Sequence, residues 1–192
     1  MGKVAGKVPK LSSRSAPRGD RPNIQKFFQI ARNKKKLRKT LSKEEQNRLI
    51  TKALNAFSEG KAADAITLLE DLLKEHPKNI NALCNLGTIH CENGAPQKAI
   101  ILYEQALTFS PQNALLWFNL SVAYCDNNEF AKALKASEEA LILVPHNQKF
   151  WLNHGYLLKQ AGIEITLEIF DLLKEKIANK RRELGLKAVE IY

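Results

Sequence analysis

The feature that most limits how this chain can fold is a 34-residue period. Rows starting at Gln46, Ile80, Ala114 and Gln148 align Gly60, Gly94, Asn128 and Gly162 in one column and Pro77, Pro111 and Pro145 in another. A third column holds Ala65, Ala99 and Ala133. The fourth position reads Leu49, Leu83, Trp117 and Trp151, and the eighth reads Ala53, Gly87, Ser121 and Gly155. Self-similarity at this period points to stacked repeats, because one small supersecondary unit cannot bury its apolar face alone and needs its neighbours to do so.

Turn signals divide each row into two helical stretches. Ser42 followed by Glu45 forms a capping box, in which the hydroxyl and the carboxylate satisfy each other's orphan backbone N–H groups, so the first packed helix starts there. It runs to about Ser58, where Gly60 supplies the left-handed backbone that ends it. A second helix over about 62–75 stops ahead of Pro77, since proline disfavours helix at the residue before it. The next row repeats the plan with a helix over about 81–93, a turn through Gly94 and Ala95, and Pro96 in the first turn of the following helix, where its missing N–H is harmless.

Gly87 in a helix interior costs about 1 kcal/mol against Ala. It therefore demands a packing reason. The fourth row opens well with Trp151, Gly155 and Gly162, then departs: Leu167, Asp171 and Lys174 stand where the second row has Ala99, Tyr103 and Ala106. Its second helix must rotate, shift or present a polar outer face. A polar capping helix is expected over about 163–182, ending near Gly185, because a solenoid needs a polar terminal face to stay soluble.

These columns resemble the tetratricopeptide repeat family. The resemblance implies an all-α solenoid, a right-handed superhelix of antiparallel helix pairs, occupying residues 42–182. Three repeats span 46–79, 80–113 and 114–147, a degenerate capping repeat spans 148–182, and a tail follows over 183–192. The resemblance also implies that Gly87 faces the small residue Ala99, the pair letting the two helices approach closely. It implies a non-enzymatic protein-binding scaffold and names no ligand.

Positions 2, 5, 9 and 12 of each first helix share one face by their spacing, and in the family that face lines a concave groove. Here it carries Asn81, Cys84, Thr88 and Cys91, then Leu115, Phe118, Val122 and Cys125, then Lys149, Leu152, Tyr156 and Lys159. The middle set is apolar throughout, which suits a groove for a hydrophobic helix or extended peptide. Asn85, Asn119 and Asn153 fall at position 6 and are placed either to hydrogen-bond a peptide backbone or to serve the fold. The candidate groove residues are thus Asn85, Thr88, Leu115, Phe118, Asn119, Val122, Lys149, Leu152, Asn153 and Tyr156.

Leu115, Phe118, Val122 and Tyr156 are expected to be substantially exposed. Either an external segment or the chain's own residues around Phe27 and Phe28, or its C-terminal tail, would fill the groove. The carboxylate clamp by which co-chaperone members of the family bind chaperone C-termini is incomplete. Ile50, Leu54, Leu115 and Asn119 break it in one register, and Cys84 and Thr88 break it in the other, where Asn119 and Lys149 match and Asn153 replaces an Arg.

Charge is distributed unevenly. Residues 1–45 contain 14 Lys or Arg and 3 acidic residues, a net of +11, while the remainder carries 16 basic and 17 acidic residues, a net of −1. Residues 1–41 read as a basic arm too poor in apolar side chains to fold alone. It contains one short helical face over 23–32, formed by Ile24, Phe27, Phe28 and Ala31. Arg32, Lys34, Lys35, Lys36, Arg38 and Lys39 follow as candidates for polyanion binding, so that RNA or the ribosome is a second partner class through residues 26–39. A nuclear address, an anionic membrane surface and a solvated linker are the competing readings of the same block.

Cys84, Cys91 and Cys125 are too few and too irregular for a disulfide framework or a zinc signature. A reduced, cytoplasmic protein is expected, with nuclear or organellar placement as alternatives because of the basic arm. Pro9, Pro17, Gly6 and Gly19 break any long amphipathic transit helix. No apolar run reaches the length of a membrane span. No phosphate loop, nucleophile elbow or catalytic carboxylate pair is present, so neither catalysis nor a cofactor is expected.

Overall fold

A computed structural model describes residues 41–187, within the compact unit Leu41–Tyr192. Eight helices and no strand occur among the described residues: α1 Lys43–Ser58, α2 Ala62–Glu75, α3 Ile80–Glu92, α4 Pro96–Phe109, α5 Ala114–Asp126, α6 Phe130–Leu143, α7 Gln148–Gln160 and α8 Leu167–Glu183. The basic arm, its short helix over 23–32 and the residues Arg32 to Lys39 lie outside the described residues.

The helix ends follow local chemistry. Ser42 Oγ accepts from Glu45 N at 3.2 Å while Ser42 N donates to Glu45 Oε2 at 2.7 Å, completing the expected capping box. Asn79, Asn113 and Asn147, one repeat apart, cap α3, α5 and α7 through their side-chain oxygens. The turn column is left-handed throughout, with φ of +79° at Gly60, +70° at Gly94 and +74° at Gly162; Asn128 stands in for glycine at φ 60°, as Asn tolerates this region better than other residues with a β-carbon.

Three antiparallel pairs, α1/α2, α3/α4 and α5/α6, stack in chain order, and each new pair lays its first helix on the pair before it. Ala82, Leu86 and Ile89 of α3 join Ile50, Ala53, Ala65, Leu69 and Leu72 of the first pair. Leu116, Leu120 and Ala123 of α5 join Leu83, Ala99, Ile100, Tyr103, Ala106 and Leu107 of the second. Phe150 of α7 joins Ala114, Phe118, Ala140 and Leu141 of the third. The columns of small residues are wholly buried at Ala65, Ala99 and Ala133. The indole N–H groups of Trp117 and Trp151 donate to the carbonyls of Pro111 and Pro145, at 2.8 and 2.7 Å, which locks each turn between repeats to the helix that follows it.

Gly87 has a different partner from the one expected. The atoms nearest to where a β-carbon would stand belong to the Tyr103 ring, the first of them at 2.8 Å. The absent side chain makes room for the aromatic at position 24 of its own repeat.

The last pair departs from the plan, by a shift. Three residues connect the helices of each earlier pair (59–61, 93–95, 127–129), whereas six (161–166) connect α7 to α8. Thr166 caps α8 by accepting from Ile169 N, so the helix begins at Leu167 and not near Ile163. Leu167, in the column of buried alanines, is 77% exposed. The far half of α8 rests on α6: Leu173 and Ile177 join Ala140, Leu141 and Ile142. The guanidinium of Arg181 donates to the carbonyls of Ile142, Leu143 and Lys187. The near half touches α7 edge-on through Trp151 and Phe170, with ring centroids 5.1 Å apart. α8 exposes Glu168, Asp171, Glu175, Lys176 and Asn179, while the gap it leaves beside α7 is apolar.

Candidate functional site

The first helices α3, α5 and α7 lie side by side and bring together the face predicted for the groove. Leu115, Leu152 and Tyr156 are 53%, 67% and 55% exposed, Lys149 and Lys159 are exposed, and Thr88, Val122, Cys91 and Cys125 are partly covered. At the places of Leu152 and Tyr156 one repeat earlier, Phe118 is buried and Val122 is partly covered.

Phe118 corrects the expectation. It is 8% exposed, stacked on Phe150 at a centroid distance of 5.1 Å and roofed by the ammonium of Lys149, 4.8 Å from the ring centre. The physical reason is the next repeat: α7 lays Phe150 against the flank of α5 and takes the Phe118 ring into the joint. What remains for a ligand in this row is Leu115 and part of Val122, with Lys149 as a cation above a hidden aromatic.

The asparagine column is already engaged. Asn119 Nδ2 donates to Cys84 Sγ at 3.4 Å and Asn153 Nδ2 donates to Ser121 Oγ at 2.8 Å, so both tie one repeat to the one before. Asn85 Nδ2 donates to the carbonyl of Asn81, 2.7 Å away on its own helix. Thr88 Oγ1 donates to the Cys84 carbonyl at 3.1 Å and shares a hydrogen bond with Tyr103 OH at 3.0 Å. These groups serve the fold in this state.

The three cysteines are free and poorly suited to nucleophilic work. Burial pushes the Cys84 thiol up, with the Asn119 hydrogen bond opposing it weakly. Burial, helped by Asp126 and Glu92, pushes Cys91 up to about 11. Cys125 is raised by burial and by Asp126. A thiol held protonated is neither a good nucleophile nor a ready metal ligand. Among the described residues no cluster of His, Cys, Asp and Glu could hold a metal ion, and no helix is long and apolar enough to cross a membrane.

Sequence reasoning missed two features. One is Arg181, whose role depends on how α8 lands on α6. The other is the apolar wall made by Ile165, Ile169 and Phe170 opposite α7. The longer gap between Gly162 and a threonine cap at Thr166 was the signal that could have exposed it.

Tetratricopeptide repeat models match residues 50–114 and 91–154. No curated protein matches the chain. Solved structures similar to it include the TPR domain of Sgt2 from Aspergillus fumigatus, at 20% identity over 65% of this chain and 84% of that one, with a TM-score of 0.60. MamA (41-end) from Desulfovibrio magneticus RS-1 is similar at 18% identity over 73% and 78%, with a TM-score of 0.59. The first TPR of Spaghetti (RPAP3), bound to the HSP90 peptide SRMEEVD, is similar at 16% identity over 64% and 97%, with a TM-score of 0.59. With the turn column, the alanine column and the pairwise stack already accounted for residue by residue, the matched models place this chain in the tetratricopeptide repeat family.

Proposed function

We propose that this protein is a non-enzymatic interaction module whose concave face, built from α3, α5 and α7, binds a segment of a partner protein. The observation that carries the reading is the exposure of Leu115, Leu152 and Tyr156 on one face, flanked by Lys149 and Lys159. Apolar side chains of a helix or extended segment pack on the first three, and a carboxylate on the ligand meets the ammonium of Lys149. That TPR domains of similar fold are solved with the HSP90 peptide SRMEEVD and the HSP70 peptide SGPTIEEVD supports a reading in which this fold binds short segments. The incomplete clamp, with Cys84 and Thr88 at two of its places, argues for a ligand other than a chaperone C-terminus.

The test is capture of partners by the full chain and by Leu115→Glu, with folding checked by circular dichroism. Loss of captured proteins in the variant is expected; an unchanged set overturns the groove assignment.

The charge partition favours a second reading, in which Arg32, Lys34, Lys35, Lys36, Arg38 and Lys39 bind RNA or the ribosome while the repeats position another protein. If about four of them neutralise phosphates, log affinity falls with log salt at a slope of roughly −3.6. Capture that vanishes with nuclease treatment and moderate salt assigns the interaction to the arm, whereas salt-resistant capture that depends on Leu115 assigns it to the groove.

A further inference from the structure

The two ends of the stack differ in what they leave uncovered. Positions 3, 7 and 10 of each first helix point back at the preceding pair: Ala82, Leu86 and Ile89 in α3, Leu116, Leu120 and Ala123 in α5, and Phe150, His154 and Leu157 in α7 are all buried. In α1, which has no preceding pair among the described residues, the same places hold Arg48, Lys52 and Asn55, all exposed. The first pair is thus sealed on that side by polar groups.

The other end is open and apolar. On α5 the residue at position 5, Phe118, is buried by the arrival of α7. On α7 the residues at positions 5 and 9, Leu152 and Tyr156, meet no following helix. With Ile165, Ile169, Phe170 and Leu173 they line a cavity of about 480 Å³ between α7 and α8. It exists because the six-residue connection shifts α8 and its C-terminal half is fixed on α6. Gly155 keeps the floor low, since a β-carbon there would meet only Ile165, at 3.6 Å.

We propose that this groove is a second interaction site, which adjoins the concave face at Leu152 and Tyr156 but does not use Leu115, and that it takes an amphipathic helix of a partner protein. That helix carries aliphatic or aromatic side chains at i, i+4 and i+7. The argument is continuity with the joints inside the stack. At three successive joints the occupant of the groove beyond a helix pair is a helix with that spacing, reading Ala-Leu-Ile, Leu-Leu-Ala and Phe-His-Leu. A second copy stacking head to tail does not satisfy the site, because α1 would bring Arg48 and Lys52 against apolar walls, and charges buried without partners are strongly disfavoured.

The experiment uses the full chain and a labelled helical host peptide of Ala, Glu and Lys with Leu, Leu and Ala at the three positions, as in α5. A control peptide carries Arg, Lys and Asn there, as in α1. Fluorescence anisotropy is expected to show binding of the first peptide and not the second, with a loss of at least tenfold in Ile165→Glu, an exposed residue outside any helix. Ile169→Glu serves as the second variant, and Leu115→Glu distinguishes this site from the concave one. No binding by the Leu-Leu-Ala peptide overturns the proposal, as does equal binding by both peptides. Loss of binding in Leu115→Glu but not Ile165→Glu places the peptide in the concave groove and overturns it too. Blockage by self-association in sedimentation gives the groove to a second copy, and binding that appears only with Phe28→Asp gives it to the chain's own segment; either result rules out the partner helix.

Discussion

At the residue scale the interior is sensitive to single atoms. Gly87 leaves space that the Tyr103 ring fills, to within 2.8 Å of where a β-carbon would stand. Gly87→Leu is expected to lower stability by roughly 1–3 kcal/mol or more through overpacking. In a Tyr103→Leu background, Gly87→Ala should instead be neutral or gain up to about 1 kcal/mol from helix propensity; urea unfolding of the single and double variants checks both. Phe118→Ala removes a buried, stacked ring, so a loss of about 3–5 kcal/mol is expected, and Leu115 is the better probe of binding.

Two buried histidines set a pH dependence. Burial, then Lys98, lowers His90 against a smaller opposing effect of Glu70. Burial lowers His154, with Glu138 opposing and Lys176 reinforcing it, and the ring shares a 3.1 Å hydrogen bond with Ser137 Oγ. Because the folded values lie below the unfolded value near 6.5, the unfolded chain takes up protons first as pH falls. Stability is fully present above about pH 6.5 and declines as pH drops toward the folded values. Denaturant unfolding from pH 7.5 to 5 should show the decline, and His154→Gln should flatten part of it.

At the element scale α8 is the helix whose position depends most on one residue. Its C-terminal half is fixed by Arg181, whose guanidinium meets the carbonyls that end α6 and that of Lys187. Cations are favoured at a helix C-terminus, where unpaired carbonyls concentrate negative charge. Arg181→Ala strips these carbonyls of their donor and is expected to cost about 1–3 kcal/mol. Hydrogen exchange should localise the effect to residues 167–187 and leave α1 to α5 protected. A uniform loss of protection would mean that α8 is integral to the global cooperative unit.

At the scale of the whole molecule, a stack of repeats is limited by its ends. Arg48, Lys52 and Asn55 close one end, while the groove between α7 and α8 leaves the other apolar. Replacing the three with Leu, Leu and Ala should create a complementary, heterologous contact that does not close on itself, the geometry that generates open chains. Sedimentation velocity is expected to show assemblies growing with concentration in the triple variant, absent in the parent and suppressed by adding Ile165→Glu. A triple variant that stays unassociated would show that the polar residues of α1 do not set the stacking limit.

The amino-acid sequence by itself determined the repeat length, the paired helices and most of their ends, because each depends on short-range chemistry. The Ser42–Glu45 box, the left-handed column of Gly60, Gly94, Asn128 and Gly162, and Pro96 in the first turn of its helix act within a few residues. Spacing put Leu115 with Phe118 on one face and Leu152 with Tyr156 on the next, and the family resemblance made that face a groove. Only the tertiary structure decided the rest. Phe118 shares its face with Leu115, yet it disappears under Phe150, and Asn119 and Asn153 spend their amides on the neighbouring repeat. Gly87 answers to Tyr103, sixteen residues away. Helical spacing says which residues share a face, but not how closely the next helix approaches that face. That distance is set by side-chain volumes on two elements at once, and in the last pair by where Arg181 finds carbonyls to bind.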